Sequence, residues 1–303
     1  MKSHSNIEIR RCRPLLGTFV EIEASGTNAA GLERGIAAAF SSAEKVHCLM
    51  SYHDPRSDVS RMNRDAFPNS VIVHPWTWKV LETAQQFARE SNGVFDIAIA
   101  RLLADRGYLP QCSHRLNGTA TWRDVFLRKN YRVFFRRRLM VDLGGIAKGF
   151  AVDQAVGALK ESGATSGIVN AGGDLCVFGS RSQVVHLRHP SHPAQVAGAV
   201  RLRERAMATS GIYFARCKYR GQNISPMIDG RTGRSSRELI SVSVAASDCM
   251  SADALTKIVF ALRERAAGLM ARYQADALLL ERNGAPSWMF HSSCDTPDRT
   301  RFD

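Results

Sequence analysis

No stretch of this chain approaches the roughly 18 uninterrupted apolar residues of a membrane-spanning helix, so no span is expected. The first residues, Met1 to Arg11, contain no apolar core, so a secretory signal peptide is not expected within them. Cys12 follows Arg10-Arg11 rather than an apolar run, so a lipid-anchored cysteine is not expected. The seven cysteines (Cys12, Cys48, Cys112, Cys176, Cys217, Cys249 and Cys294) are odd in number and widely spaced, and no Cys-x-x-Cys occurs. That pattern argues for reduced thiols in a cytoplasmic protein rather than a disulfide framework or a zinc site. Gly-x-x-x-x-Gly-Lys-Ser/Thr, Gly-x-Ser-x-Gly and His-Glu-x-x-His are all missing. Gly144-Gly145 lacks both the spacing and the downstream acid of a dinucleotide fingerprint.

What is present describes a basic chain with a real core. Its 303 residues suffice for one large domain or two smaller ones, and 45% apolar with 23% charged content reads as soluble and globular. The formal net charge of +13 admits nucleic acid, an anionic surface or a phosphate-bearing small molecule as partner. The arginines are scattered, from Arg101, Arg106, Arg115, Arg123, Arg128 and Arg132 to Arg136-Arg137-Arg138, and are not interleaved with aromatics. A solvated basic face is therefore expected, and no nucleic-acid partner.

Periodicity and capping residues give an alternating order of elements. Gly17 to Ala24 alternates as a half-buried strand, and Asn28 caps a helix running to about Met50. The polar, proline-containing stretch from Ser51 to Asn63 reads as a loop. Pro75-Trp76 opens a second helix through about Glu90, closed by Ser91-Asn92-Gly93. Residues 104 to 122 read as an irregular connection, and 131–135 with 138–143 as a hairpin. A helix follows from about Ile146 to Glu161. The second half is rich in strands: 167–170, 175–178, 184–187, 196–202, 206–209, 240–246, 277–281 and 287–291. One helix, from Ser251 to about Arg265, interrupts them. The fold expected is a single α+β domain over 14–291, with helices packed on mixed, largely antiparallel sheets. Residues 1–13 are read as an extension and 292–303 as a tail.

Three turns or helix starts each carry a carboxylate: Asp142 before Gly144-Gly145, Asp174 after Gly172-Gly173, and Asp253 with Thr256 three residues on. Glycines let backbone N–H groups approach a ligand, and a helix N-terminus favours anions. Carboxylates, hydroxyls and phosphates form the hard oxygen set that Mg²⁺ takes. Helix capping by Asp253, with Thr256 bonded to its own helix, is the structural alternative. Tyr52 and His53 are either functional or loop packing.

Eight short motifs in a consistent order then resemble one family. They are Leu16-Gly17-Thr18-Phe19, Ser51-Tyr52 with Ser57 to Asn63, Gly93-Val94-Phe95-Asp96, Asp142-Leu143-Gly144-Gly145-Ile146-Ala147-Lys148-Gly149, Ala171-Gly172-Gly173-Asp174, Ala208-Thr209-Ser210-Gly211, Ile228 to Gly233, and Ala252-Asp253-Ala254-Leu255. Over residues 14 to 290 the chain resembles the ApbE family, the FAD:protein FMN transferases. The resemblance implies Mg²⁺-dependent transfer of the FMN moiety of FAD to a Thr or Ser hydroxyl of an acceptor protein, releasing AMP. It implies FAD contacts from Leu16, Tyr52, Val94, Phe95, Asp96, Asp142, Lys148, Met227 and Ile228. Metal ligands would be the Gly145 carbonyl, the Asp253 carboxylate and a hydroxyl one turn later, with Thr256 the available one. The partner would be a flavoprotein carrying a Ser/Asp-Gly-Ala-Thr/Ser-like motif. Many members of the family are exported or periplasmic.

Two departures stand inside these motifs. The family's usual His before the Thr-Gly turn is Pro226 here, and its Pro is Gly230. The usual hydroxyl ligand position holds Lys257. They motivate an alternative, a FAD-binding or FAD-hydrolysing member that has lost protein transfer. Net charge alone motivates a basic interaction module. Ser162-Gly163-Ala164-Thr165 resembles the acceptor motif itself and equally reads as a helix C-terminus.

Overall fold

The computed structural model describes residues 6–111, 119–189, 195–212, 217–219, 222–235, 239–281 and 287–289. The expected tail over 292–303, together with Cys112, Arg115 and Cys294, lies outside them. The first half contains β1 (Ile7–Leu15), β2 (Thr18–Gly26), α1 (Ala29–Met50), α2 (Asp58–Asp65), β3 (Ser70–Ile72), α3 (Pro75–Glu90) and α4 (Ala100–Asp105). Then come β4 (Val125–Arg128), β5 (Arg132–Phe135), α5 (Ala147–Glu161), β6 (Ser166–Ala171), β7 (Asp174–Gly179), β8 (Gln183–Arg188), β9 (Val196–Leu202) and β10 (Arg205–Gly211). The last elements are β11 (Cys217–Tyr219), β12 (Gln222–Ile224), β13 (Leu239–Ala246), α6 (Cys249–Leu262), α7 (Ala267–Arg272), β14 (Asp276–Glu281) and β15 (Ser287–Met289).

An eight-stranded sheet in the order β1-β2-β6-β7-β10-β13-β14-β15 is the backbone of an α+β fold. Every pairing between the named strands is antiparallel, so the parallel share of a mixed sheet is missing among the described residues. Helices α1, α5 and α6 cover one face, with α5 packed against both of the others. The β8–β9 hairpin contributes Leu187, Val200 and Leu202 to the core on the other face, against Leu175, Val177 and Met207. The neighbouring residues of β7, Cys176 and Phe178, enter the core shared with α1 and α5. Strand β7 is thus buried on both sides, which is why its sequence runs apolar instead of alternating.

Capping chemistry fixes the long helices where the sequence places them. Asn28 Oδ1 accepts the Gly31 N–H at 3.1 Å and starts α1, whose Leu32, Ile36, Phe40, Ala43 and Val46 are buried at helical spacing. Pro75 occupies the first turn of α3. The start of α6 is capped by Asp248, whose Oδ1 accepts from Ser251 N at 2.7 Å, so Asp253 lies inside the helix and is not its cap.

Four expectations are corrected. The Ser51–Asn63 loop contains α2, capped by Ser57, whose Oγ accepts from Ser60 N at 3.0 Å. Its polar residues are structural: buried Asp58 accepts from His74 N at 2.8 Å, Thr77 Oγ1 at 2.7 Å and Arg61 at 2.8 Å. The hairpin joins β4 to β5, while 138–143 is not a strand. Leu139, Val141 and Leu143 are buried, but the amide of Asn63 replaces a partner strand. It donates to the Val141 carbonyl at 3.0 Å and accepts from Val141 N at 2.7 Å. The connection over 104–122 begins with the end of helix α4. Finally, most of the presumed extension is β1, paired in register with β2 from Ile7↔Gly26 to Leu15↔Thr18.

The contact that positions the site is the crossing of α5 and α6. A Cβ on Gly149 would fall 2.2 Å from the Cys249 carbonyl oxygen, so only glycine lets the two helix starts meet. Asp153 of α5 then accepts the Cys249 and Met250 N–H groups at 2.8 and 2.9 Å, satisfying two donors that a helix start leaves open. Burial pushes this carboxyl up to about 7 from its ordinary 3.8, against those two N–H groups. Between those values the folded chain binds a proton that the unfolded chain has lost. The group therefore favours folding in acid, and its contribution is lost as pH rises through about 7. In urea unfolding, Asp153→Asn is expected to flatten the pH dependence of stability between about pH 4 and 7. Asp153→Ala, which leaves two buried donors unmet, should cost about 2–4 kcal/mol.

Candidate functional site

A cavity of ≈ 520 Å³ opens beside the start of α5. All nine residues that the family resemblance assigns to FAD line it: Leu16, Tyr52, Val94, Phe95, Asp96, Asp142, Lys148, Met227 and Ile228. They arrive from five separate parts of the chain. Its size is that of a small-molecule site, and it combines an apolar, aromatic wall with a few charged groups.

Each wall has a local cause. Leu16 and Gly17 form the two-residue turn between β1 and β2 with φ of 59° and 71°. Two positive φ values match the twist of a hairpin, and holding leucine there costs about 1 kcal/mol. The strain sits at a residue that faces the cavity. Phe95 is positioned by its N–H donating to Ser91 Oγ at 3.0 Å and by its ring meeting Phe87 edge-on, centroids 6.1 Å apart. Asp96 accepts Ala98 N at 2.7 Å and Trp122 N at 3.1 Å, and burial pushes its carboxyl up to about 6. Gly230 locks the Met227–Ile228 wall to this segment, its N–H donating to the Val94 carbonyl at 2.9 Å. A Cβ there would fall 2.5 Å from Asp96 Cβ and 2.6 Å from the Gly93 oxygen. Proline at 230 would lose that hydrogen bond and collide, which accounts for the glycine.

The floor is the Asp142–Lys148 turn. Asp142 Oδ2 accepts the Gly144 N–H at 3.1 Å, and burial raises its carboxyl pKa against that hydrogen bond. Behind the floor lie two buried carboxylates, Asp174 at 1% and Asp253 at 0% side-chain exposure, each ion-paired to a lysine: Lys148 to Asp174, and Lys257 to Asp253. Asp253 Oδ2 also accepts the Gly149 N–H at 3.3 Å, so it caps α5 from the neighbouring helix. Burial alone would raise Asp253, but Lys257 and Lys148 hold it below the usual carboxylate range. Asp174 moves the other way, because burial and the nearby Asp253 charge outweigh Lys148. Burial alone would lower the Lys148 ammonium, but Asp174 and Asp253 outweigh it and hold it above the usual lysine range. Both lysines line the cavity, whereas neither Asp174 nor Asp253 does.

Among the expected metal ligands, only Gly145 lines the cavity. Thr256 is fully buried; its Oγ1 donates to the Asp253 carbonyl at 2.7 Å and lies 2.7 Å from Ser210 Oγ. The helix-bonded reading of Thr256 therefore holds. Among the described residues no group of three or more His, Cys, Asp or Glu side chains is placed to hold a metal ion.

Sequence reasoning missed parts of the lining, including His47, Tyr108 and Leu109. His53 and Pro226, singled out in the sequence, line it as well. Asp174 was visible as a turn carboxylate, but its pairing with Lys148 was not. Thr165 ends the helix–turn segment after Gly163 (φ 87°) and donates its hydroxyl to the Ser25 carbonyl at 3.1 Å; it does not line the cavity.

The fold is thus α+β and antiparallel, with a Gly-Gly turn and two lysines at the floor of its cavity. The profile of the ApbE family matches residues 16–279, and this chain belongs to that family. It is 29% identical over 255 residues to an FAD:protein FMN transferase of Rhodobacter capsulatus, a match covering 79% of this chain and 49% of that protein. The match thus spans about half the length of that relative. A Klebsiella pneumoniae protein of the same name is 25% identical, with 78% of each chain covered. In structure, the chain is similar to the ApbE protein of Thermotoga maritima, with a TM-score of 0.80, 26% identity, and 93% and 96% coverage of the two chains. The flavinyl transferase ApbE of Pseudomonas stutzeri shares the fold at a TM-score of 0.78 and 21% identity, with 95% of each chain covered.

Proposed function

We propose that this chain binds FAD in the cavity beside α5 and transfers its FMN moiety to a Thr or Ser hydroxyl of an acceptor protein. The observation that carries the proposal is the convergence of nine residues from five chain segments on one cavity with two lysines at its floor. The names of the relatives support the same chemistry.

The acceptor oxygen attacks the phosphorus of the FMN half of the diphosphate. A new phosphoester bond forms as the bond from that phosphorus to the bridging oxygen breaks. The bridging oxygen leaves with the electron pair as part of AMP. The hydroxyl proton passes to a base facing the cavity, and Asp142 and His53 are two of the groups that line it and can accept a proton. Such a transfer needs alignment and charge neutralisation more than covalent catalysis. The N–H groups at the start of α5 and the ammoniums of Lys148 and Lys257 meet the diphosphate charge. Tyr52 and Phe95 offer aromatic surface to the flavin or adenine. The acceptor would present a Ser/Asp-Gly-Ala-Thr/Ser-like segment at the mouth.

Mg²⁺, which the resemblance implies, would need the Gly145 carbonyl, the Asp253 carboxylate and the Thr256 hydroxyl. These residues do not fit it as they are seated. Thr256 points into its own helix, and the two Asp253 oxygens are engaged by Lys257 and by Gly149 N–H.

Titration with FAD, followed by flavin fluorescence, tests the binding half. One FAD per chain is expected, with affinity about tenfold weaker in Phe95→Ala. A chain that leaves flavin fluorescence unchanged would sink the reading.

A further inference from the structure

Lys257 stands one helical turn after Asp253, and its ammonium contacts both the Asp253 carboxylate and, at 3.0 Å, the Asp253 carbonyl oxygen. Its Cε lies 3.5 Å from where a Cβ on Gly145 would be, so the side chain runs along the Gly-Gly turn and reaches the cavity. The side chain is 16% exposed and Asp253 0%. A positive charge is thus built in between a buried carboxylate and the cavity floor, beside the only expected metal ligand that lines the cavity. A divalent ion there would need a carboxylate oxygen that Lys257 already holds, and would sit close to an ammonium.

We propose that Lys257 is a resident cation that takes the place of a divalent metal ion, so that this chain binds the FAD diphosphate and transfers FMN without one. The inference rests on the FAD reading above. The bonds made and broken are those already described. Lys257, a compact positive charge, neutralises the negative charge gathering on the bridging oxygen as AMP leaves. Asp253 positions it, and the carboxylate is itself held by Gly149 N–H. A serine at 257 would free one carboxylate oxygen and add a hydroxyl, restoring a donor set of the kind Mg²⁺ takes.

The test measures FAD affinity in EDTA and in millimolar Mg²⁺, together with FAD-dependent Mn²⁺ binding by electron paramagnetic resonance. The unaltered chain is expected to bind FAD with the same affinity, within about twofold, in both conditions and to take up no Mn²⁺ with FAD. Lys257→Ser is expected to take up Mn²⁺ and to bind FAD about tenfold or more tightly with Mg²⁺ than with EDTA. FAD binding by the unaltered chain that weakens about tenfold or more in EDTA would overturn the proposal and leave the FAD reading standing. Stoichiometric, FAD-dependent Mn²⁺ uptake by the unaltered chain would do the same. An absence of FAD binding in both conditions would overturn both. The measurements on the unaltered chain decide the question even where Lys257→Ser, with Asp253 left unpaired, fails to fold.

Discussion

Asp253→Ala is expected to lower FMN transfer by about a thousandfold or more and to destabilise the fold by about 3–5 kcal/mol. Both effects have one origin. Asp253 is fully buried, pairs with Lys257 and accepts the Gly149 N–H that opens α5. Its loss leaves Lys257 and Lys148 sharing Asp174 as the remaining carboxylate of the cluster, and leaves a helix-start donor unmet. Lys257 would no longer be held at the floor. Asp253→Asn separates the terms: an amide oxygen still accepts from Gly149, so stability should recover in part while transfer stays low. Urea unfolding and single-turnover transfer measure the two. Full activity in Asp253→Ala would show that Lys257 needs no anchor.

Lys148→Ala is expected to weaken FAD binding by about 10–100-fold. Lys148 extends from the first turn of α5, where it combines a point charge with the positive end of the helix. Its side chain is 35% exposed, so the stability cost is smaller than for Asp253, about 1–3 kcal/mol. The cost arises because Asp174 would lose its neutralising partner. With burial already raising that carboxyl, Asp174 would be held more strongly in its neutral form. A rise in KM for FAD larger than the fall in kcat would place Lys148 on the bound diphosphate. The reverse split would place it on the leaving AMP.

The sequence makes part of this legible because some signals are local. Asn28, Pro75 and Ser91-Asn92-Gly93 mark helix ends, and they mark them within a residue or two of where α1 and α3 begin and end. Strand β1 escaped detection because it is an edge strand whose charges are satisfied across the sheet and against α1. Arg10 pairs with Glu21 at 2.9 Å, and Arg13 lies 4.5 Å from the centre of the Phe40 ring. Such a strand carries charges to discourage further pairing, and its sequence reads as a tail. Helix α2 escaped because polar residues usually mean solvent, whereas Asp58 and Asn63 are internal hydrogen-bond partners. At the site, the family resemblance carries the nine residues assigned to FAD, all of which line the cavity. Lys257 and Asp253 stand four residues apart on one helix, but the cluster they form with Lys148 and Asp174 was not legible. Lys148 reaches Asp174 from α5 to β7, and the two pairs meet because Gly149 lets α5 and α6, remote in sequence, approach closely. Lys257 reads as a departure from a motif; only the fold shows that it faces the cavity.

Transfer of FMN from FAD to a protein hydroxyl is read by intact-mass analysis of an acceptor. The purified chain is incubated with FAD and a protein fragment carrying Ser-Gly-Ala-Thr, and AMP is quantified alongside. One FMN is expected on each fragment, with one AMP released for each, and no addition when the acceptor threonine is replaced by alanine. Release of AMP and free FMN with an unmodified fragment would contradict transfer and identify a FAD hydrolase in which Pro226 stands where transfer needs a base.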